Sequence, residues 1–167
     1  MRAYLHISIL SLGLTVLGCG DYSSHKQLSK SPEPSARVDK VTLLSMPAPM
    51  NMDHTSGADG IRVQVWMFRR SSPEPVLTNG TLQFLLFEQS IQARQLQSLK
   101  PFLRWTFSGD KLDRHCVRSR YGWGYQADLK WGDKLPRSNV VSLAVAHRSA
   151  DGRRMLYSEP VVIPLRR

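Results

Sequence analysis

Apolar residues recur at every second position along much of the chain after Gly60. Ile61, Val63, Val65 and Met67 alternate with Arg62 and Gln64, the period of a half-buried strand. Leu103, Trp105 and Phe107 repeat the pattern within residues 102–107. Tyr125, Ala127, Leu129 and Trp131 repeat it against Gln126, Asp128 and Lys130, the cleanest alternation in the chain. Val141, Leu143, Val145 and His147 form a further register, and residues 37–45 (RVDKVTLLS) are β-branched and aliphatic enough for a strand ahead of them. Two stretches break the period. Leu82 to Phe87 (LQFLLF) is apolar on both faces, which predicts a central strand covered on both sides or an edge reserved for a partner. Residues 89–100 carry Ile91, Leu96 and Leu99 at loosely helical spacing until Pro101 ends whatever they form.

Turn residues separate these runs. Asn79-Gly80, between Val76-Leu77 and Thr81-Leu82, predicts a tight hairpin. Residues 108–116 (SGDKLDRHC) read as a short helical turn capped by Asp110, with Leu112 and Cys116 four apart on one side. Asp151-Gly152 turns the chain into a strand over residues 154–163, where Pro160 and Pro164 suit an edge. About seven short strands with turn signals between them and little helix predict an all-β fold. The expected architecture is an antiparallel two-sheet sandwich, immunoglobulin-like or fibronectin type III-like. The Cys, Trp and Cys spacing of immunoglobulin domains proper is absent.

The first sixty residues follow different rules. Residues 1–18 read as a signal peptide, with Arg2 at the start, a mostly apolar run from Leu5 to Leu17, and the small residue Gly18 at the end. The run is shorter than the roughly 20 apolar residues of a permanent span, and no later segment qualifies. From Gly20 the composition turns to Ser, Lys, Gln and Pro, so residues 19–36 read as a solvated linker with too little apolar surface to offset the entropy of ordering. The globular part is then residues 37–167: a first strand over 37–45, a Pro- and Gly-punctuated loop over 46–59, and a main body over 60–164.

Val16-Leu17-Gly18-Cys19 resembles the lipobox of bacterial lipoproteins, in which the cysteine is diacylated, becomes the new N-terminus and is acylated again. The resemblance implies lipidation of Cys19 and attachment to a membrane, since several acyl chains hold a protein where one does not. Gly20 after the cysteine resembles the class sorted to the outer membrane in two-membrane bacteria. With Cys19 acylated, Cys116 is the other of the two cysteines and no intramolecular disulfide forms. The 149 residues from Cys19 onward are enough to bury a core without one. The stretches GIRVQVWMF, TLQFLLFE, PFLRWTFSGDKL, RSRYGWGYQADLKWG and VVSLAVAHR are also similar to a group of small uncharacterised bacterial lipoproteins. That likeness covers residues 60–167, is most specific in RYGWGYQADLKWG, and implies export, anchoring and a β-sandwich while bringing no catalytic residue with it.

Charge narrows the partners. The chain holds 23 Lys and Arg against 13 Asp and Glu, and residues 60–167 alone hold 18 against 8, so the net charge of +10 arises there. Outside the cytoplasm such a domain meets anionic lipid head groups, acidic envelope polymers or another envelope protein; nucleic acid is not expected. Arg114, Arg118, Arg120, Tyr121 and Trp123, with His115 among them, form a basic and aromatic cluster read as a loop before the cleanest strand, where binding residues commonly sit. Gly122 and Gly124 flank Trp123, which either presents its ring to a sugar or polymer or folds back over the core edge through a bulge.

Two other chemistries are legible. Met46, Met50, Met52 and His54 offer thioethers and an imidazole, a ligand set suited to Cu(I), so a copper-handling lipoprotein is one alternative. Cys116 beside His115, with His147 elsewhere, supplies the residue types of a thiol hydrolase. Against that, neighbours on a helical turn point apart, and a lone Cys with Leu112 four residues back reads as a small buried hydrophobe. His147 continues the apolar register of its strand and reads as a hydrogen-bonded residue at a sheet end. No P-loop, dinucleotide fingerprint, paired-cysteine metal site or HExxH occurs, so no cofactor is indicated. The leading expectation is a non-enzymatic binding or accessory module on a lipid anchor.

Overall fold

A computed structural model of the chain describes residues 31–52 and 57–165. The signal, Cys19, most of the linker and His54 lie outside the described residues. Among the described residues the chain forms ten strands: β1 (Lys40–Ser45), β2 (Gly60–Phe68), β3 (Pro75–Val76), β4 (Thr81–Phe87), β5 (Leu103–Ser108), β6 (Cys116–Ser119), β7 (Gly122–Lys130), β8 (Val140–Arg148), β9 (Met155–Tyr157) and β10 (Val161–Pro164). One helical turn, α1 (Asp110–Asp113), sits between β5 and β6. None of the described helices is long and apolar enough to cross a membrane.

The strands make two antiparallel sheets. The first has the order β1-β2-β7-β6, with β3 also on β2; the second has the order β10-β8-β4-β5, with β9 also on β8. In immunoglobulin lettering the first sheet is A-B-E-D, and the second is G-F-C with one further strand beside C, so the predicted sandwich is the observed one. The strand count exceeds the expected seven for three local reasons. β3 and β9 are short flanking pieces of two and three residues. The strand expected over residues 154–163 is split where Ser158 bonds Val145 through its backbone and its hydroxyl. The segment expected as a loop before the cleanest strand contributes β6, paired in register with β7.

Alternation along the strands builds the core. Ile61, Val63, Val65 and Met67 of β2 face Leu82, Phe84 and Leu86 of β4 and Val141, Leu143 and Val145 of β8 across one continuous buried cluster. Val41 and Leu43 of β1, Tyr125, Ala127 and Leu129 of β7, Ile163 of β10 and Leu112 of α1 join it. The doubly apolar LQFLLF run is a central strand between β5 and β8, covered on both sides. Its second face, Leu85 and Phe87, packs with Ala144, Ala146, Ile91 and Leu96. Residues 89–100 are therefore a lid over the second sheet with one 3-10 turn, Ala93–Gln95, in place of a helix. The Ile91 N–H donates to the buried Ser142 hydroxyl at 3.1 Å and fixes that lid.

Two local expectations are corrected. Asn79-Gly80 closes no hairpin: β3 pairs with β2 while β4 pairs with β5 and β8, so the dipeptide carries the chain from one sheet to the other. Gly80 is required there by a close approach, because a Cβ on it would lie 2.3 Å from the Arg148 carbonyl oxygen. Asp110 is the first helical residue of α1 rather than its cap, a place taken by Gly109 at φ 51°. Cys116 lies beyond the helical turn, in β6.

Candidate functional site

The β6–β7 connection is a tight turn built by Ser119. Its hydroxyl accepts the Tyr121 N–H at 3.1 Å and donates to the Gly122 carbonyl at 3.2 Å. Gly122 has φ 106°, a region that favours glycine, and sits against the Pro75 ring. The turn pushes Tyr121 outward to 55% exposure. Below it, Gly124 leaves room for Trp66, since a Cβ there would lie 2.9 Å from the Trp66 ring and 2.6 Å from the Val65 carbonyl oxygen. The result is a stacked column. The Arg120 guanidinium lies 4.7 Å from the Tyr121 ring centroid and donates to its hydroxyl at 2.6 Å, and Tyr121 meets Trp66 edge-on at 5.5 Å.

The glycines around Trp123 thus serve a turn and a close ring contact. No bulge forms, because Arg118↔Trp123 and Val117↔Gly124 pair in unbroken register. Trp123 is half-buried, packed against the core edge. Its accessible part lines a cleft of about 820 Å³ together with Arg118, Arg120, Tyr121, Arg69 and Glu74. Four of the five residues singled out in the sequence are therefore together. Arg114 is not among the lining residues; it follows α1 as its C-terminal cap.

Arg69, Glu74 and Pro75, from the link between β2 and β4, were missed in the sequence. The polar run RRSSPEP directly after the strongest strand was the available signal, but only tertiary structure brings it beside β6 and β7. The near end of the linker is also part of this wall: Pro32, Glu33 and Pro34 line it, and the Ser35 N–H donates to the Leu77 carbonyl at 2.8 Å.

Cys116 is half-buried in β6, and burial, then the Asp113 charge, push its thiol up, opposite to the direction that activates a nucleophile. The neighbouring His115 is engaged elsewhere, with Nδ1 2.9 Å from the Gln126 carbonyl and its ring edge-on to Phe107 at 4.6 Å. His147 is buried in β8, its Nε2 2.9 Å from the Thr78 hydroxyl. Burial, and secondarily the Arg154 charge, hold its pKa below the ordinary imidazole value. Thr78 also bonds the Tyr125 hydroxyl through both its N–H, at 2.9 Å, and its carbonyl, at 3.1 Å. Burial pushes the Tyr125 pKa up to about 12, so the phenol stays a neutral donor and acceptor.

Of the methionine loop, Met50 pairs its backbone with Gly60, Met52 sets its sulfur over Gly60, and Met46 is 46% exposed. Among the described residues no group of three or more His, Cys, Asp or Glu is placed to hold a metal ion.

Comparison of the chain with protein-family models, with curated proteins and with solved structures gives no match. The reading of function therefore starts from the cleft and from the N-terminal pattern.

Proposed function

We propose that the protein is a lipid-anchored, non-enzymatic binding module of the bacterial cell envelope. It is attached through Cys19, carried on the 19–36 linker, and engages an anionic envelope component at the cleft. The observation that carries this reading is the gathering of Arg69, Arg118 and Arg120 around Tyr121 and Trp123 on one rigid turn-and-strand frame. Guanidinium groups offer forked donors to carboxylate or phosphate, and flat rings beside them suit the apolar faces of a sugar or acyl-bearing partner. The lipobox pattern supports the anchor, and Gly20 supports the outer membrane as its place.

Two measurements test the two halves. Intact mass and membrane fractionation should give a product that begins at Cys19 with added acyl chains and stays in the membrane after a high-salt wash, and Cys19→Ala should lose both the acyl mass and the cleavage before residue 19. An unmodified soluble product from both forms removes the anchor. For the cleft, retention on an acidic polymer matrix should fall as salt rises, because exposed charges are screened over about 10 Å at 0.1 M salt. Arg118→Ala, Arg120→Ala and Trp123→Ala combined should weaken it by at least about tenfold, while Arg114→Ala, outside the cleft, changes it little. No retention at low salt ends the anionic reading.

A further inference from the structure

We infer that the end of the sandwich from which the N-terminal segment departs is a docking face for an anionic bilayer surface. This rests on the anchored reading above and names the anionic component in it. Six pieces of chain meet at that end: the approach to β1, the link after β2, the β3–β4 crossing, the link from β5 into α1, the β6–β7 turn and the β8–β9 turn. The pairings Lys40↔Phe68, Ser119↔Gly122 and Arg148↔Met155 close their strands there. The Arg154 guanidinium, 3.5 Å from the Asp39 carboxylate, ties the β8–β9 turn to the approach to β1.

These pieces carry Arg69, Arg70, Arg118, Arg120, Arg148 and Arg153, all exposed. The carboxylates among them are fewer. Asp39 is held by Arg37 and Arg154, Asp151 accepts from the Ser149 hydroxyl and the Arg153 N–H, and Glu33, Glu74 and, on the link into α1, Asp110 are the others. The far end mixes signs, with Asp59, Glu88 and Asp133 beside Lys130, Lys134 and Arg137. On the flat outer face of the first sheet, Arg62 and Asp128 close on each other at 2.7 Å.

Position selects the partner. Cys19 precedes Ser31 by twelve residues, which extend no farther than about 40 Å. The nine-residue strands make the far end roughly 30 Å more distant. A coil of twelve residues averages only about 20 Å between its ends, less than that extra distance, so an anchor at Cys19 brings the arginine end to the head groups more often than the far end. Each arginine near an anionic surface strengthens binding about fivefold, and an acyl chain combined with a basic patch holds where a single chain does not. Tyr121 and Trp123 at the same end are the ring types that settle at a membrane–water interface.

The test uses the processed chain, residues 19–167, as Cys19→Ala, so that neither signal nor lipid contributes, and vesicles of phosphatidylcholine with or without about 30% phosphatidylglycerol. Binding should need the anionic lipid and weaken with salt. The triple Arg70→Gln, Arg120→Gln, Arg153→Gln should lose about a hundredfold, and the lysine triple at the same positions should retain most of it. The triple Arg94→Gln, Lys100→Gln, Arg104→Gln, equal in charge but on the side of the second sheet, should lose less than about tenfold. Equal losses in the two glutamine triples, or equal binding to neutral vesicles, would overturn the docking face. Retention on acidic polymer without vesicle binding would overturn it too, while leaving the anionic cleft standing. Because Cys19 is replaced throughout, failure of the anchor is read only in the fractionation experiment and is never confused with failure of this face.

Discussion

Gly80 shows how much one missing side chain decides. It has an ordinary φ, so its need for glycine comes from space: a Cβ would sit 2.3 Å from the Arg148 carbonyl oxygen and 2.7 Å from the His147 ring nitrogen. Both obstacles are held in central strand β8, so the crossing between sheets would have to move. Gly80→Ala should therefore destabilise the fold by about 2–4 kcal/mol, read as a lower urea midpoint with an unchanged slope. Gly152, at φ 71° with open space around it, should lose only about 1 kcal/mol on the same change, through backbone strain alone. A loss at Gly80 no larger than that at Gly152 would show that the crossing yields. The sequence marks Asn79-Gly80 as a turn but cannot distinguish a hairpin glycine from one demanded by a neighbouring strand, because that neighbour lies 68 residues further along at Arg148.

At the scale of elements, period-2 alternation located the strands whose one face is buried, and the inward residues of β2, β7 and β8 are those the pattern indicated. It could not resolve residues 89–100, because a lid contributes isolated plugs rather than a repeating face. Ile91 is 6% and Leu96 4% exposed, packed on the outer side of the second sheet. Leu96→Ala should accordingly lose about 2–4 kcal/mol, where a surface-loop residue would lose within about 0.5 kcal/mol. Chemical denaturation separates these values, and a loss below about 1 kcal/mol would mean that the lid is not part of the cooperative fold. The basic and aromatic cluster was legible because four of its members lie within six consecutive residues across one turn, Arg118 to Trp123. Arg114 fails because it caps the end of α1, and strand β6 carries the chain away from it before the turn begins.

Across the whole molecule, the two sheets share one buried polar chain. Tyr125 of the first sheet holds both backbone groups of Thr78, and the Thr78 hydroxyl meets His147 of the second sheet while accepting the Gly80 N–H at 3.0 Å. Nδ1 of His147 is buried without a protein partner, so a charged imidazolium would have one donor unsatisfied in an apolar setting. The folded state thus prefers neutral His147, and its pKa lies below the ordinary value. The sign follows from proton counting: as pH falls through about 6.5, the unfolded chain takes up this proton before the folded one, so stability declines from there down to the folded pKa. The carboxylates held low by their partners, Asp39, Asp128 and Asp151, act in a separate window, withdrawing their contributions only as pH falls below about 4. His147→Gln, which keeps a hydrogen-bonding group toward Thr78, should be less stable than the wild type at pH 8, since the side chain fits the site less well. It should also flatten the slope of unfolding free energy below pH 6.5 without altering the acid limb. If wild type and variant show parallel profiles from pH 8 to pH 5, the buried polar chain does not couple the joining of the sheets to pH.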